Sequence, residues 1–331
     1  MKIVITGGAG FLGKRLARRL LERGTLMGAN GEPEPIERLV LFDVAAAVGF
    51  DDPRVLGVAG DITDRAVVEA ALGGDCDSIF HLAAVVSAEA EADFDLGLKV
   101  NLDGTRTVLE AARRQARPPR LLFASSIAVY GGADLPPTVT DDTPLTPQTS
   151  YGAAKAAGEF LVSDFSRKGF IDGRALRLPT ICVRTGRPNK AASTWVSSMI
   201  REPLSGTDVV CPVAPEAEMA LLSPRRVIET FIQAHDLPAE ALGKWRSVLL
   251  SGITASARDL ADAVARNKGN RAIGRILWQP DPAIQAIVAG WPTGVRSAKA
   301  AALGFTTDSS VDEIVRYFIE DDLAAQIAGD F

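Results

Sequence analysis

The chain has 331 residues, of which 47% are hydrophobic and 23% are charged, and its net charge is −5 at neutral pH. This length allows one large domain or two smaller ones, and the composition is ordinary for a globular protein in water. The negative charge gives no electrostatic case for binding nucleic acid or an anionic membrane.

The few cysteines and histidines argue against a metal site. The three cysteines have neither metal-ligand spacing nor a disulfide framework, and two histidines are too few for a histidine-based centre. Such cysteines fit a reducing compartment. Glycines interrupt the N-terminal apolar run, and no cleavage signal follows it. We therefore expect a cytoplasmic protein with no metal and no membrane-spanning segment.

Apolar runs and helical spacings alternate through the first half of the chain. Strands are predicted at residues 2–6, 38–43, within 55–60, and at 78–84, 120–125 and 173–178. Helices are predicted at residues 11–23, 64–72, 96–115 and 151–168. Residues 25–36, rich in glycine and proline, are expected to form a loop. The alternation predicts an α/β fold of the Rossmann type, with a doubly wound parallel sheet.

The pattern changes after Pro179, where prolines and charged residues interrupt it. Helices are predicted at residues 225–234, 256–266 and 308–321, with Ser256 as an N-cap. A strand-like run at 247–252 is expected to return to the main sheet. The sequence therefore predicts a large domain, residues 1–178, and a smaller, interleaved C-terminal domain, residues 179–331, that binds substrate.

A glycine-rich loop follows the first strand and opens the first helix. Gly7 permits the tight turn, Gly10 lets the backbone approach a pyrophosphate, and Gly13 allows close helix packing. Phe11 and Leu12 begin the helix, whose free N–H groups and dipole favour an anion. Because the loop stands between a strand and a helix, it predicts a dinucleotide site.

Asp43 ends the second strand, where a carboxylate accepts hydrogen bonds from an adenosine ribose and repels a 2′-phosphate. The next four residues, Val-Ala-Ala-Ala, supply no cation to hold such a phosphate. The sequence therefore favours NAD over NADP. Asp43 lies further from the glycines than is usual, and the segment 25–36 accounts for the excess as an insertion.

Tyr151 and Lys155 are four residues apart, so a helix places them on one face. A nearby ammonium and a positively charged nicotinamide ring should lower the tyrosine pKa from about 10. The phenolate would then act as general base on an alcohol. Ser126, which follows a strand, is expected to bond the reacting oxygen, and its neighbour Ser125 is the rival.

These motifs together resemble the extended short-chain dehydrogenase/reductase family. Gly7, Gly10 and Gly13 match its glycine spacing, and Ser126, Tyr151 and Lys155 match its catalytic trio. The resemblance covers nearly the whole chain and is sharpest over residues 1–182. It implies hydride transfer to NAD, with Lys155 also bonding the nicotinamide ribose, and it favours Ser126 over Ser125. It implies further cofactor contacts at Asp61, Ile62, Leu82, Ala83, Ala84, Asn101, Pro179 and Ile181, whereas His81 is expected to be structural.

The segments at 184–195 and 223–226 resemble a branch of the family that acts on sugar acids. Guanidinium groups for a small carboxylate are offered by Arg184, Arg187 and Arg225. For any one of these arginines, a surface or ion-pair role is expected equally often. Asn189 and Ser193 could bind hydroxyls. The expected reaction oxidises the hydroxyl next to the carboxylate of a short sugar acid to a 2-oxo acid.

Two other functions remain open at this point. One is a nucleotide-sugar epimerase with bound NAD, and the other is a non-catalytic NAD sensor, which the complete trio disfavours. A dehydratase is disfavoured because Ile127 and Ala128, rather than an acidic pair, follow Ser126. A homodimer is expected, with the helices predicted at 96–115 and 151–168 pairing across a twofold axis as in relatives.

Overall fold

The computed structural model describes residues 1–187 and 193–329. The chain divides into two compact units, each assembled from several segments. The first contains residues 1–129, 147–177 and 228–248, and the second contains the described residues of 130–146, 178–227 and 249–331. The predicted division after residue 178 lies next to the boundary between Arg177 and Leu178. Residues 130–146 and 228–248, however, belong to the opposite unit from the one that this division gives them.

The helices and strands of the described residues are as follows. The strands are β1 (Lys2–Thr6), β2 (Thr25–Met27), β3 (Pro33–Pro35), β4 (Arg38–Asp43), β5 (Val55–Ala59), β6 (Ser78–His81), β7 (Arg120–Ser126), β8 (Thr138–Val139), β9 (Asp172–Leu178), β10 (Thr180–Ile181), β11 (Val209–Cys211), β12 (Glu218–Leu222), β13 (Ser247–Leu249), β14 (Ile253–Ser256), β15 (Ile276–Trp278) and β16 (Gly294–Val295). The helices are α1 (Phe11–Arg23), α2 (Arg65–Leu72), α3 (Ser87–Ala92), α4 (Phe94–Leu98), α5 (Gly104–Ala112), α6 (Ser150–Arg167), α7 (Thr194–Leu204), α8 (Pro224–Asp236), α9 (Ala257–Asn267), α10 (Pro282–Ala289), α11 (Ala298–Ala302), α12 (Val311–Asp321) and α13 (Leu323–Ala328).

A seven-stranded sheet in the order β13-β9-β7-β6-β1-β4-β5 forms the centre of the first unit. β1 is parallel to β4 and β6, β4 to β5, and β6 to β7. The chain starts in the middle, builds one side with β4 and β5, and then builds the other side. This doubly wound order confirms the predicted fold class, and it places the carboxyl ends of β1, β4, β6 and β7 along one edge.

The inner strands β1, β4, β6 and β7 are mostly apolar because helices cover both faces of such a sheet. Val4, Phe42, Ile79 and Phe123 from these strands pack in one buried cluster with residues of α2 and α5. This core holds the strand ends, and the loops that follow them, in fixed positions.

The segment 25–35 differs from the predicted loop. β2 and β3 pair antiparallel, with Leu26 opposite Glu34, as a short hairpin. Gly31 has a φ of +78°, which glycine adopts without strain, so it can stand in the turn of the hairpin. The hairpin accounts for the long spacing between the glycine loop and Asp43.

The single helix predicted at 96–115 is interrupted in the structure. A π-helical turn at Lys99–Asp103 separates α4 from α5. Within it, the Asn101 amide bonds both the N–H and the C=O of Val85, at 2.8 and 3.0 Å. Hydrophobic spacing alone did not reveal this turn, which places Asn101 against the backbone of Val85.

The second unit has its own core, built from α7, α9 and α12 with β12 and β14. β12 pairs in parallel with β10 and antiparallel with β14. Ser256 and Asp259 form a reciprocal capping box at the start of α9, as the sequence indicated. The helices of the described ranges are too short or too polar to cross a membrane.

Gly13 provides a test of how closely α1 packs on the glycine loop. A Cβ at this position would lie only 2.1 Å from the carbonyl oxygen of Gly7. Gly13→Ala should therefore lower the free energy of unfolding by about 1–3 kcal/mol, as overpacking does, measured by urea denaturation.

The matched control is Gly74→Ala, since a Cβ at Gly74 meets nothing within 4 Å. It should change the free energy of unfolding by no more than about 0.5 kcal/mol. Equal effects of the two substitutions would contradict the packing assigned to Gly13.

Candidate active site

The glycine loop lies at the carboxyl end of β1 and opens α1. Gly7 has a φ of +73°, and a Cβ there would lie 2.8 Å from the backbone nitrogen of Ala83. Gly10 is the N-cap of α1 and its residue type offers no side-chain cap, so N–H groups of the first turn face outward. Phe11 and Leu12 form that first turn and are half-buried. The loop thus provides a bare backbone cradle of the kind that a pyrophosphate requires.

Asp43 stands beside this cradle at the end of β4. Its carboxylate accepts hydrogen bonds from the backbone N–H of Ala9, at 3.0 Å, and of Val44, at 2.7 Å. These bonds orient the carboxylate, which remains half-exposed. Val44 is 80% exposed. The arrangement fits a carboxylate that binds a ribose next to the glycine loop.

The other predicted cofactor residues of the first unit follow the neighbouring strands. The exposed Asp61 carboxylate bonds Thr63 and, at 3.2 Å, Lys99, and the hydrogen bonds from Thr63 lower its pKa more than Lys99 does. Ile62 is buried in the core, so its backbone rather than its side chain is available. Leu82, Ala83 and Ala84 follow β6 and are half-buried.

Asn101 is buried and its amide is committed to the backbone of Val85. It therefore fixes the chain directly after Ala84, and it would act on a cofactor through that segment.

Ser126, Tyr151 and Lys155 come together at the carboxyl end of β7. The Thr149 hydroxyl caps α6 by accepting from the N–H of Gly152, at 3.0 Å. A Cβ at Gly152 would lie 2.0 Å from the carbonyl oxygen of Ala128, so glycine lets α6 approach the turn that follows Ser126. This close approach brings the Ser126 hydroxyl near enough to the Tyr151 phenol to lower the pKa of the phenol.

Lys155 lies below Tyr151 and is 3% exposed. Its ammonium donates to the carbonyl oxygen of Ala124, at 2.8 Å, and lies 5.6 Å from the centre of the Tyr151 ring. The Phe123 ring is closer, with its centre 4.7 Å away. The lysine is thus held by one carbonyl and two aromatic faces.

Burial dominates the acid–base properties of this pair. It raises the pKa of Tyr151 to about 12, and the Ser126 hydroxyl partly opposes this rise; part of the tyrosine surface is accessible. Burial also lowers the pKa of Lys155 to about 7. The sequence suggested a lowered tyrosine pKa, and the difference arises because desolvation of the phenolate is the largest cause of the shift.

Adjacent residues of β7 point to opposite faces, which separates Ser126 from its rival Ser125. The Ser125 hydroxyl is buried and donates to the carboxylate of Glu159. His81 is also fully engaged, since its Nδ1 bonds the Thr6 hydroxyl at 2.7 Å and its Nε2 that of Thr105 at 2.9 Å. Desolvation lowers the pKa of His81 to about 3, so it is a neutral structural histidine at ordinary pH.

The sequence did not single out Glu159 or Arg177, which the structure places directly behind the trio. Glu159 is 0% exposed and pairs with Arg177 on β9. The available signal was the spacing of Tyr151, Lys155 and Glu159, which repeats every four residues along one face of α6.

The remaining predicted residues lie in the second unit. Pro179 directly precedes β10, and the half-buried Ile181 is the second residue of that strand. Arg184 is exposed, and its backbone N–H donates to the Ser197 hydroxyl at 3.0 Å. Although the side chain as a whole is exposed, desolvation of its guanidinium, and then the charge of Arg201, lower the pKa of Arg184. Arg187 is exposed and Ser193 precedes α7, whereas Asn189 lies outside the described residues.

Arg225 is already occupied by acidic side chains. Its Nε donates to Asp321 at 3.0 Å, its Nη2 donates to Glu320 at 2.9 Å, and it stacks on the ring of Tyr317. A substrate carboxylate would have to displace these groups, so Arg225 is a weaker candidate for binding it than Arg184. Among the described residues, His, Cys, Asp and Glu side chains form no cluster suited to a metal ion.

Two curated relatives match almost the full chain. One is D-erythronate dehydrogenase from Cupriavidus necator, which is 52% identical over 321 residues, covering 97% of this chain and 98% of the relative. The other is D-erythronate dehydrogenase from Haemophilus influenzae, which is 42% identical over 324 residues, covering 98% and 100%.

A crystal structure from Agrobacterium tumefaciens, described as a nucleoside-diphosphate-sugar epimerase, has the same fold. Its TM-score is 0.92 and its identity 39%, with 99% of this chain and 96% of that chain covered. A family model described as the NAD dependent epimerase/dehydratase family matches residues 3–240. The chain belongs to this NAD dependent epimerase/dehydratase family and is an enzyme whose cofactor is NAD.

Proposed function

We propose that this protein oxidises the 2-hydroxyl of a short sugar acid, D-erythronate or a close analogue, to a 2-oxo acid with NAD. The arrangement of Ser126, Tyr151 and Lys155 at the end of β7 carries this proposal, because a phenol beside a hydroxyl, with an ammonium below it, would suit proton removal from an alcohol. The two D-erythronate dehydrogenase relatives support the substrate class.

The chain fits NAD at the positions that the cofactor requires. Gly7 and Gly13 leave no room for side chains in the cradle, where a pyrophosphate would lie at the start of α1. Asp43 would bind the adenosine ribose, and its charge would exclude a 2′-phosphate. When bound, NAD supplies the acceptor for the hydride.

The side chains of the trio divide the proton chemistry between them. Ser126 bonds the substrate hydroxyl and holds it against Tyr151. Tyr151 removes the proton from that hydroxyl as general base. Lys155 stabilises the phenolate by its charge, which is effective because the pair is shielded from water. The burial that raises the resting pKa of Tyr151 thus also strengthens its interaction with a neighbouring cation.

Arg184 is the favoured partner of the substrate carboxylate. Its guanidinium lies close enough to that of Arg201 for the like charge to lower its pKa. An anion bound to Arg184 would relieve this repulsion and form a charge-assisted, bidentate contact. Arg187 is the second candidate, because it is exposed on the same segment.

The function is tested by adding NAD and a panel of four-carbon sugar acids to the purified protein and following NADH absorbance. A 2-oxo product is then identified with a carbonyl reagent. NADH formation with D-erythronate supports the proposal, and no NADH with any acid of the panel would refute it.

A nucleotide-sugar epimerase is the second candidate, which the description of the Agrobacterium tumefaciens structure favours. Such an enzyme would interconvert two nucleotide sugars without net NADH. The dehydrogenase is preferred because the relatives with that name share more identity with this chain.

Cytoplasmic location and a homodimer remain predictions. Cell fractionation tests the location, and analytical sedimentation tests the oligomeric state.

Replacing Tyr151 with phenylalanine tests the general base. Tyr151→Phe keeps the ring and removes the ionisable oxygen, so turnover should fall by about 10²–10⁴-fold. NAD binding, measured by fluorescence titration, should remain largely intact. Tyr317→Phe, which removes a hydroxyl bonded to Glu313, is the control and should retain wild-type turnover. A Tyr151→Phe enzyme with a near-normal rate would eliminate the assignment.

Cofactor preference tests Asp43. Asp43→Ser combined with Val44→Arg removes the carboxylate and adds a cation at an exposed position, so the enzyme should shift towards NADP. The measurement is the ratio of kcat/KM for the two cofactors. If the wild-type enzyme already prefers NADP, Asp43 does not select the cofactor.

Recognition of the carboxylate is tested by comparing two arginines. Leaving a carboxylate unpaired in a closed site costs on the order of 2–5 kcal/mol, so Arg184→Leu should lower kcat/KM on the acid by roughly 30-fold or more. The neutral amide of the same acid should lose much less.

Arg225→Leu is the matched control, because Arg225 already pairs with Asp321 and Glu320. It should affect the acid and the amide equally. The assignment fails if Arg184→Leu also affects both compounds equally, and the same loss on the acid alone in Arg225→Leu would move the carboxylate site to Arg225.

A further inference from the structure

The feature with no role in the mechanism above is a buried ion pair behind the trio. Glu159 is 0% exposed and Arg177 is 4% exposed, and both lie in the first unit. Tyr151, Lys155 and Glu159 follow one another at four-residue intervals in α6, so they share a face of the helix. The carboxylate is therefore the next side chain below the lysine.

Glu159 is held by strong and directional bonds. The Arg177 Nε lies 3.0 Å from both carboxylate oxygens, and its Nη2 lies 2.7 Å from Oε2. The Ser125 hydroxyl donates to Oε1. This pairing of a guanidinium with both oxygens is the charge-assisted, directional contact that arginine makes with a carboxylate. The helix thus carries a fixed negative charge at this position.

These bonds connect the helix to the strand that carries the reacting serine. Ser125 lies between Ala124, whose carbonyl receives the Lys155 ammonium, and Ser126. A movement of Glu159 would therefore displace Ser125, and with it both the Ala124 carbonyl that binds Lys155 and the neighbouring Ser126.

The charge of Glu159 also acts on Lys155 directly. Burial lowers the pKa of Lys155, and Glu159 is the group that raises it. Among the described residues packed around this lysine, His81 on β6 is neutral, Tyr151 lies on α6 with Lys155, and Arg177 on β9 pairs with Glu159. Glu159 is thus the nearby negative charge that favours an ammonium.

A stability role alone does not explain this pair. Desolvation of two ions offsets their attraction, so apolar residues of similar size are often as stable as a buried ion pair. The pair lies below Lys155, where a charge changes how strongly the lysine binds its proton. Two apolar side chains could not have this effect.

We propose that Glu159 is a positioning residue, which Arg177 and Ser125 hold in place and which keeps Lys155 in the ammonium form that the Tyr151 phenolate requires. This inference deepens the proposed dehydrogenase function and rests on it for its catalytic meaning. The charge state of Lys155 can nevertheless be measured without any substrate.

The test is a pH titration of Lys155 in the protein without substrate or cofactor. The ¹³Cε resonance of Lys155, assigned by its loss in Lys155→Met, reports the lysine pKa. Glu159→Gln keeps the shape of the side chain and removes its charge. It should lower the Lys155 pKa by about one unit or more, a tenfold loss of proton affinity. Glu159→Asp, which retains the charge, should restore most of the shift.

A matched control separates this effect from general destabilisation. Arg174, on the same strand as Arg177, is 0% exposed and pairs with Asp172 at 3.0 Å. Arg174→Met should destabilise the protein, as the loss of a buried charge does, and leave the Lys155 titration unchanged.

A double variant covers the case in which Glu159→Gln does not fold. Glu159→Met with Arg177→Met removes both charges together and should fold, since it leaves neither ion unpaired. It should also lower the lysine pKa. In whichever of these variants is folded, the alkaline limb of the kcat profile on the acid should move to lower pH.

An unchanged Lys155 pKa in a folded Glu159→Gln or double variant would overturn the inference, even if turnover fell. An equal shift in Arg174→Met would also overturn it. Inactivity of the wild-type enzyme on every sugar acid, combined with the expected lysine shift, would refute the proposed function and leave this inference standing.

Discussion

The buried ammonium of Lys155 is the interaction on which the proposed chemistry depends. It is almost completely removed from water, and it bonds one backbone carbonyl while facing the rings of Phe123 and Tyr151. A charge in such a place is costly, which is why its pKa falls to about 7. Near neutral pH the lysine is therefore close to losing its proton, and small changes around it decide whether it can stabilise a phenolate.

The sheet of the first unit fixes the positions of Tyr151 and Lys155 relative to the glycine loop. The parallel sheet brings the ends of β1, β4, β6 and β7 to one edge, so the glycine loop, Asp43 and Ser126 follow from a single topology. Close backbone contacts at Gly7 and Gly13 fix the position of the glycine loop, and the close contact at Gly152 fixes α6 against the turn that follows Ser126. Asn101 contributes in the same way, by fixing the backbone at Val85.

Sequence patterns predicted these features where local rules determine them. The glycine loop, the strand ending in Asp43 and the cap of α9 depend on short segments, and these appear as expected. The π-helical turn around Asn101 and the pairing of Glu159 with Arg177 depend on contacts between distant segments, which periodicity does not encode. Arg225 illustrates the same limit, because its partners Glu320 and Asp321 lie almost a hundred residues away along the chain.

The central claim is that the hydride leaves the carbon next to the carboxylate of a short sugar acid. The most direct measurement uses D-erythronate carrying deuterium at C2, with NAD and the wild-type enzyme, and follows the label by mass spectrometry. The account predicts that the deuterium appears in the reduced cofactor and that the acid becomes a 2-oxo acid without label. Deuterium that remains in the oxidised acid would place the reaction at another carbon, and it would contradict the account.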